Sequence, residues 1–156
     1  MKSEKFFESQ GGYTIKNQNS IHFVTLTTVG WIDVFTGKKY RDLILESLSF
    51  CQKQKGLIVF AFVIMSNHLH MIVRAKEGKK LSNLLRDFKK FTAQEIIALI
   101  KKGPESRKEW LLHMFEYFAR FNSNNRFYQF WQQNNHPIEL VSPKWIRQKL
   151  DYIHLN

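Results

Sequence analysis

The sequence predicts an α+β domain, a ferredoxin-like (RRM-like) plait in which a mainly antiparallel sheet carries helices packed on one side. Three observations predict it. The elements run strand, helix, hairpin, long helix, extended segments, helix. Two apolar runs are separated only by Ser66-Asn67, as in a hairpin. The chain has 156 residues, 44% of them hydrophobic, with 14 Phe and 4 Trp, which suffices for one filled core. Residues 1–156 therefore read as a single domain.

Residues 1–19 are polar and contain glycine, which predicts a loose lead-in, and no repeat or low-complexity tract is present. Residues 21–29 (IHFVTLTTV) are rich in β-branched side chains and read as a strand. Over residues 39–55, Tyr40, Leu43, Ile44, Ser47, Leu48 and Cys51 recur at helical spacing, and Gly56 offers a left-handed stop. Residues 57–65 and 68–75 are the two hairpin strands. A long helix follows over 81–102, with Leu81, Leu84, Leu85, Phe88 and Thr92 on its inner face and Gly103-Pro104 ending it. A third helix is predicted over 105–121 from Trp110, Leu111, Met114, Phe118 and Phe121, broken by the polar run 122–125. Residues 127–131 and 137–141 look extended. Ser142-Pro143 then opens a last helix, with Ser as N-cap and Pro in the first turn.

Charge narrows the class of partner. Lys and Arg number 24 against 13 Asp and Glu, a net +11, with a pI near 9.8. Such a surplus favours a polyanion, above all nucleic acid, over the plainer reading that the charge only keeps the protein soluble. The single cysteine, Cys51, excludes a disulfide framework and a cysteine zinc site, so a reducing, intracellular setting is expected. The longest apolar run, residues 57–65, falls short of the roughly 20 residues that span a bilayer. The first residues, MKSEKFFESQGG, contain acids and no apolar signal core, so neither secretion nor a membrane partner is expected.

The chemistry starts from the stretch FAFVIMSNHLHMIVR. In a strand alternate side chains share a face, so His68 and His70 project together while Leu69 and Met71 point the other way. Two imidazoles on one face can grip a divalent metal together with an oxygen ligand. They can equally be sheet histidines that only hydrogen-bond, and the pair alone does not choose. At the other end of the chain, SPKWIRQKLDYIHLN places Tyr152 and Asn156 four residues apart on one helical face. That offers a nucleophile beside a metal ligand, or a tyrosine that merely packs.

MSNHLHMIV, the later FWQQNNHPIEL and the terminal KLDYIHLN, taken together, resemble the single-tyrosine HUH transposases, most of all the REP-associated tyrosine transposases. The similarity extends from about residue 21 to the end of the sequence, in the family's order and spacing. It implies a metal-dependent transposase and DNA endonuclease that cleaves and rejoins single-stranded DNA at hairpin-bearing sites through a 5′-phosphotyrosine. On that resemblance His68, His70 and Asn156 are the metal ligands, Mg²⁺ or Mn²⁺ the cofactor, and Tyr152 the nucleophile. It implies the same plait fold, a cytoplasmic, nucleoid-associated bacterial setting, and a monomer or homodimer. Relatives run on past this point with a proline and a tail, whereas this sequence stops at Asn156.

Candidate DNA contacts are basic residues on two helices. Lys79, Arg86 and Lys90, with Asn83, form a polar stripe on the long helix, and Lys80 and Lys89 lie beside it. The same stripe is also what a solvated helix face looks like. Lys144, Arg147 and Lys149 flank the tyrosine helix. The FYQFW segment can stack bases or fill core, and His136 is placed either near the site or in a turn. His22, His113 and His154 are expected to be structural. A non-catalytic single-stranded nucleic-acid module, or an HUH nickase of replication or plasmid transfer, would share much of this pattern.

Overall fold

The computed structural model describes residues 14–123 and 127–155, and the architecture below is theirs. Four strands, β1 (His22–Thr27), β2 (Leu57–Ile64), β3 (His68–Ala75) and β4 (Ile138–Glu139), form one sheet in the order β2-β3-β1-β4. Every neighbouring pair is antiparallel. Helix α1 (Lys38–Phe50) connects β1 to β2, while α2 (Leu81–Lys102) and α3 (Lys108–Ala119) lie between β3 and β4. Helix α4 (Pro143–His154) follows the last strand. Each helical crossover skips one strand, the interleaving that defines the predicted plait.

Strand alternation gives the sheet two different faces. Val24, Leu26, Leu69, Met71, Val73 and Ala75 point into the main core, where Tyr40, Ile44 and Leu48 of α1 meet Leu81, Leu85, Phe88 and Ile96 of α2 and Phe115 of α3. The other face is thinly covered: Phe23, Ile72 and Leu140 pack with Ile153, and Ile146 and Leu150 lie against them. The expectation of helices on one side thus holds for α1, α2 and α3, and α4 is the correction. Its apolar stripe is narrow, and Phe23 and Ile72 are the matching apolar positions on the open face.

Local signals account for most boundaries. The chain leaves α1 through a wide turn at Cys51–Lys55, and Gly56 ends it with φ 83°, a left-handed conformation that suits glycine. Ser142 Oγ accepts a 3.3 Å hydrogen bond from Trp145 N, so the predicted N-cap of α4 is in place. The third helix begins later than its apolar spacing suggested, because Glu105 is used in the preceding turn. Its carboxylate accepts from Tyr40 Oη at 3.1 Å and from Arg107 N at 3.3 Å. Of the predicted extended segment 127–131, only Trp131 forms a bridge, to Thr28.

The predicted loose lead-in is also corrected over its last residues; residues 1–13 lie outside the described residues. Ile15 packs against the core. Gln18 Oε1 accepts from Ser82 N at 2.9 Å, satisfying a first-turn amide of α2 that Lys80 cannot cap. The amide of Asn19 donates to the carbonyls of Ala75, Lys76 and Lys79 at 3.3, 2.9 and 3.0 Å. Among the described residues no helix is long and apolar enough to cross a membrane.

Candidate active site

The register of β1 against β3 builds the floor of the site. Thr25 lies opposite His70 and Thr27 opposite His68, so both imidazoles stand on the open face beside the side chains of β1. Their ring centroids are 4.6 Å apart, with the planes 75° to each other. His70 is buried and His68 half-buried. Phe23 stacks on His70 with centroids 5.2 Å apart and planes within 23°.

Neighbouring side chains orient both rings. Asn67, in the hairpin turn, donates from Nδ2 to Trp31 O at 3.3 Å, which turns its Oδ1 toward His68. That oxygen lies 2.6 Å from His68 Nδ1 and can only accept, so His68 carries its proton on Nδ1 and keeps the Nε2 lone pair. His70 Nδ1 shares a 2.9 Å hydrogen bond with Thr25 Oγ1, and donation to that hydroxyl leaves Nε2 free in the same way. Burial lowers the His68 pKa below its ordinary value. For His70, burial first, then the neighbouring His68 imidazole and the charge of Lys149, push it down to about 4. Both are therefore neutral at pH 7, the form in which imidazole binds a metal.

Helix α4 brings the last part. It lies across the open face, held by Ile153, and its Tyr152 ring sits edge-on to His70 at 5.2 Å and to Phe23 at 6.0 Å. Tyr152 is 47% exposed, so its ring is reachable from solvent while one edge rests on the histidine. Residues more than 80 positions apart in sequence thus converge. Lys149, one turn earlier, places Nζ 4.6 Å from the Phe23 ring centroid and 5.6 Å from that of Tyr152.

Other candidates fall elsewhere. Lys79, Lys80, Arg86 and Lys90 are exposed on or just before α2, which packs on the opposite face of the sheet. Arg86 is also paired with Asp87 at 3.1 Å. Lys89, expected among the DNA contacts, is engaged within the protein. Its ammonium turns inward and donates to Gln132 O, Gln133 O and Asn135 Oδ1 at 2.6, 3.1 and 2.7 Å, where burial lowers its pKa to about 8. Lys144 and Arg147 line a surface hollow of about 460 Å³ on the outer side of α4, with Pro143, Gln148 and Asp151. Asn156 lies outside the described residues.

The remaining candidates divide between core and turn. Phe130 and Trp131 are core residues and Phe127 is 75% exposed. His136 sits in a turn at φ 44°, its amide held by Asn134 Oδ1 at 2.8 Å. His22 is buried on Ser20 O at 2.9 Å, and His113 and His154 are exposed. Among the described residues no group of three or more His, Cys, Asp or Glu converges to hold a metal. The histidine pair supplies two nitrogen donors on one face of the sheet. Phe23 and Thr25 escaped the sequence reading: an ordinary Phe-Val-Thr strand carries no signal until the register sets it opposite His70.

The family description "Transposase IS200 like" matches residues 16–133, three-quarters of the chain, and the chain belongs to that family. No curated protein matches the chain. Among solved structures, a REP-associated tyrosine transposase bound to a REP hairpin superposes with a TM-score of 0.60 at 17% identity, over 96% of this chain and 72% of that one. A protein of Deinococcus radiodurans R1 described as a transposase gives a TM-score of 0.54 at 15% identity, over 96% and 97%. At these identities the two structures establish the shared fold.

Proposed function

We propose that this transposase cleaves and rejoins single-stranded DNA at hairpin-bearing sites, with Tyr152 as nucleophile and His68, His70 and Asn156 as ligands of Mg²⁺ or Mn²⁺. The observation that carries the reading is the 5.2 Å approach of Tyr152 to His70, made by elements from opposite ends of the fold. Membership of the IS200-like family supports DNA cleavage and transfer as the reaction class. The hairpin as substrate is supported by the similar fold of the REP-associated transposase, whose structure holds a REP hairpin. The two neutral imidazoles, each with Nδ1 engaged, have the donor chemistry of a divalent-metal site completed by oxygen ligands.

Bound there, a divalent ion would supply Lewis-acid polarisation of the scissile phosphate. The chain's own groups do the rest. The half-exposed Tyr152 ring, backed by Phe23 and His70, gives an unpaired base an aromatic face to rest against. Tyr152 attacks phosphorus, its oxygen takes the 5′ phosphate and the 3′ oxygen departs. The phosphotyrosine retains the energy of the broken bond, so the 3′ hydroxyl of another strand can reverse the step.

The test is incubation of the full chain with hairpin oligonucleotides and Mn²⁺, followed by denaturing electrophoresis. A covalent protein–DNA adduct that disappears in Tyr152→Phe is expected. An adduct that survives the substitution sinks the assignment of the nucleophile. Salt-sensitive binding with neither adduct nor metal dependence would instead favour a non-catalytic single-stranded DNA module.

A further inference from the structure

The charge around the histidine pair is one-sided. Lys149 is half-buried, with its ammonium over the Phe23 ring and beside that of Tyr152. Phe23 in turn stacks on His70. The ion pairs among the described residues join Lys38 to Asp42, Arg86 to Asp87, and Arg107 to Asp33 and Glu105, and none involves Lys149. Asp151, the acid nearest to it in sequence, lines the outer hollow with Lys144 and Arg147 instead.

A lysine with only a solvation role has no reason to settle here. Resting an ammonium on an aromatic face returns only about 0.5–1 kcal/mol at a partly exposed site, and the stem could swing outward as those of Lys144 and Arg147 do. What the position offers is a cation over Phe23 and beside the ring of the proposed nucleophile, with no ion-pair partner among the described residues. An anion fits it, and the anion of the proposed reaction is a phosphodiester.

We propose that Lys149 is a further catalytic residue, whose ammonium contacts a non-bridging oxygen of the scissile phosphate beside the attacking Tyr152 oxygen. This rests on the reading of Tyr152 as nucleophile. As the Tyr152 Oη–P bond forms and the P–O3′ bond breaks, the phenol proton passes to water and the departing 3′ oxygen takes one from water. Lys149 takes no part in these proton transfers. It answers the second negative charge that builds on the phosphoryl oxygens at the five-coordinate stage, and such preorganised charge acts most strongly in a site partly shielded from water. Rejoining passes through the same stage, so the residue serves both directions.

The experiment compares wild type, Lys149→Met, Lys149→Arg and Tyr152→Phe, with Mn²⁺. The probe is one hairpin oligonucleotide chosen from a pool with randomised flanks because wild type forms an adduct with it. Methionine keeps the apolar stem over Phe23, so a packing role predicts no change, and thermal melts check that each variant folds. For Lys149→Met, a fall of about 100-fold in the single-turnover rate of adduct formation is expected. Its affinity for the same DNA, read by anisotropy, should weaken by no more than about three-fold, one phosphate contact among several. Lys149→Arg should recover part of the rate.

An unchanged rate in Lys149→Met overturns the proposal while leaving Tyr152 in its role. Rate and affinity falling by the same factor overturn it too, since that marks a binding contact only. An adduct that persists in Tyr152→Phe, or none from wild type with any member of the pool, defeats the underlying reading and the Lys149 proposal with it.

Discussion

Asn67 Oδ1 accepts a 2.6 Å hydrogen bond from His68 Nδ1, and the same amide is anchored through Nδ2 to Trp31 O. One side chain therefore sets both the tautomer and the orientation of a proposed metal ligand. Asn67→Ala should weaken Mn²⁺ binding by about 10–100-fold, the usual cost of losing such a partner. Calorimetric titration of the full chain reads it directly. Equal affinity in the variant would mean that the imidazole is held without Asn67.

Lys89 should act on stability rather than on DNA. Replacing it with Met leaves the oxygens of Gln132 and Asn135 without their donor, which should cost about 1–3 kcal/mol. The pH dependence has a definite sign. Burial pushes the folded pKa from 10.5 down to about 8, so between these values the unfolded chain binds more protons. Stability then rises with pH across that window. The ammonium's desolvation penalty is present in full below about pH 8 and fades toward 10.5, and Lys89→Met lacks this term. Urea midpoints of the two proteins should therefore move apart between pH 8 and pH 10, wild type gaining. A gap that narrows would contradict the buried ammonium.

The buried indole of Trp131 donates to Thr92 Oγ1 at 3.0 Å, and that hydroxyl donates to Phe88 O at 2.8 Å. Thr92→Val nearly preserves shape but strands the indole N–H. A loss of about 1–3 kcal/mol is expected in chemical denaturation, with the slope unchanged. Thr92→Ser should retain most of the stability.

Gly56→Ala places a β-carbon at φ 83° and should destabilise by about 1–2 kcal/mol. Gly56→Asn should cost less, since asparagine tolerates this conformation better. Thermal melting distinguishes the two, and equal losses would point to crowding against Lys79 in place of backbone strain.

The hairpin and the long helix were legible in sequence because their signals are local. Leu57–Ile64 and His68–Ala75 are apolar runs around a two-residue turn, and Leu81–Lys102 is periodic up to Gly103-Pro104. The common face of His68 and His70 follows from strand alternation alone. Tyr152 stood out through resemblance, since nothing in its neighbourhood separates a nucleophile from a packing ring. Two features were illegible for the same reason: the pairing of Thr25 with His70 and the inward turn of Lys89. Each depends on where a distant segment comes to rest. A basic residue on a helix reads alike whether it meets solvent, DNA or a loop carbonyl, and Lys89 differs from Lys90 only by 100° around the helix.

Strand β1 serves both faces of the sheet, with Val24 and Leu26 in the core and Phe23 and Thr25 on the site. Because the pleat repeats every two residues, a slip of one position would turn Thr25 inward and Leu26 out. A chain that has not assembled its interior correctly therefore also lacks the histidine cradle. Folding acts as a safety interlock on the DNA chemistry proposed for it: proof of a sound core is built into possession of the site.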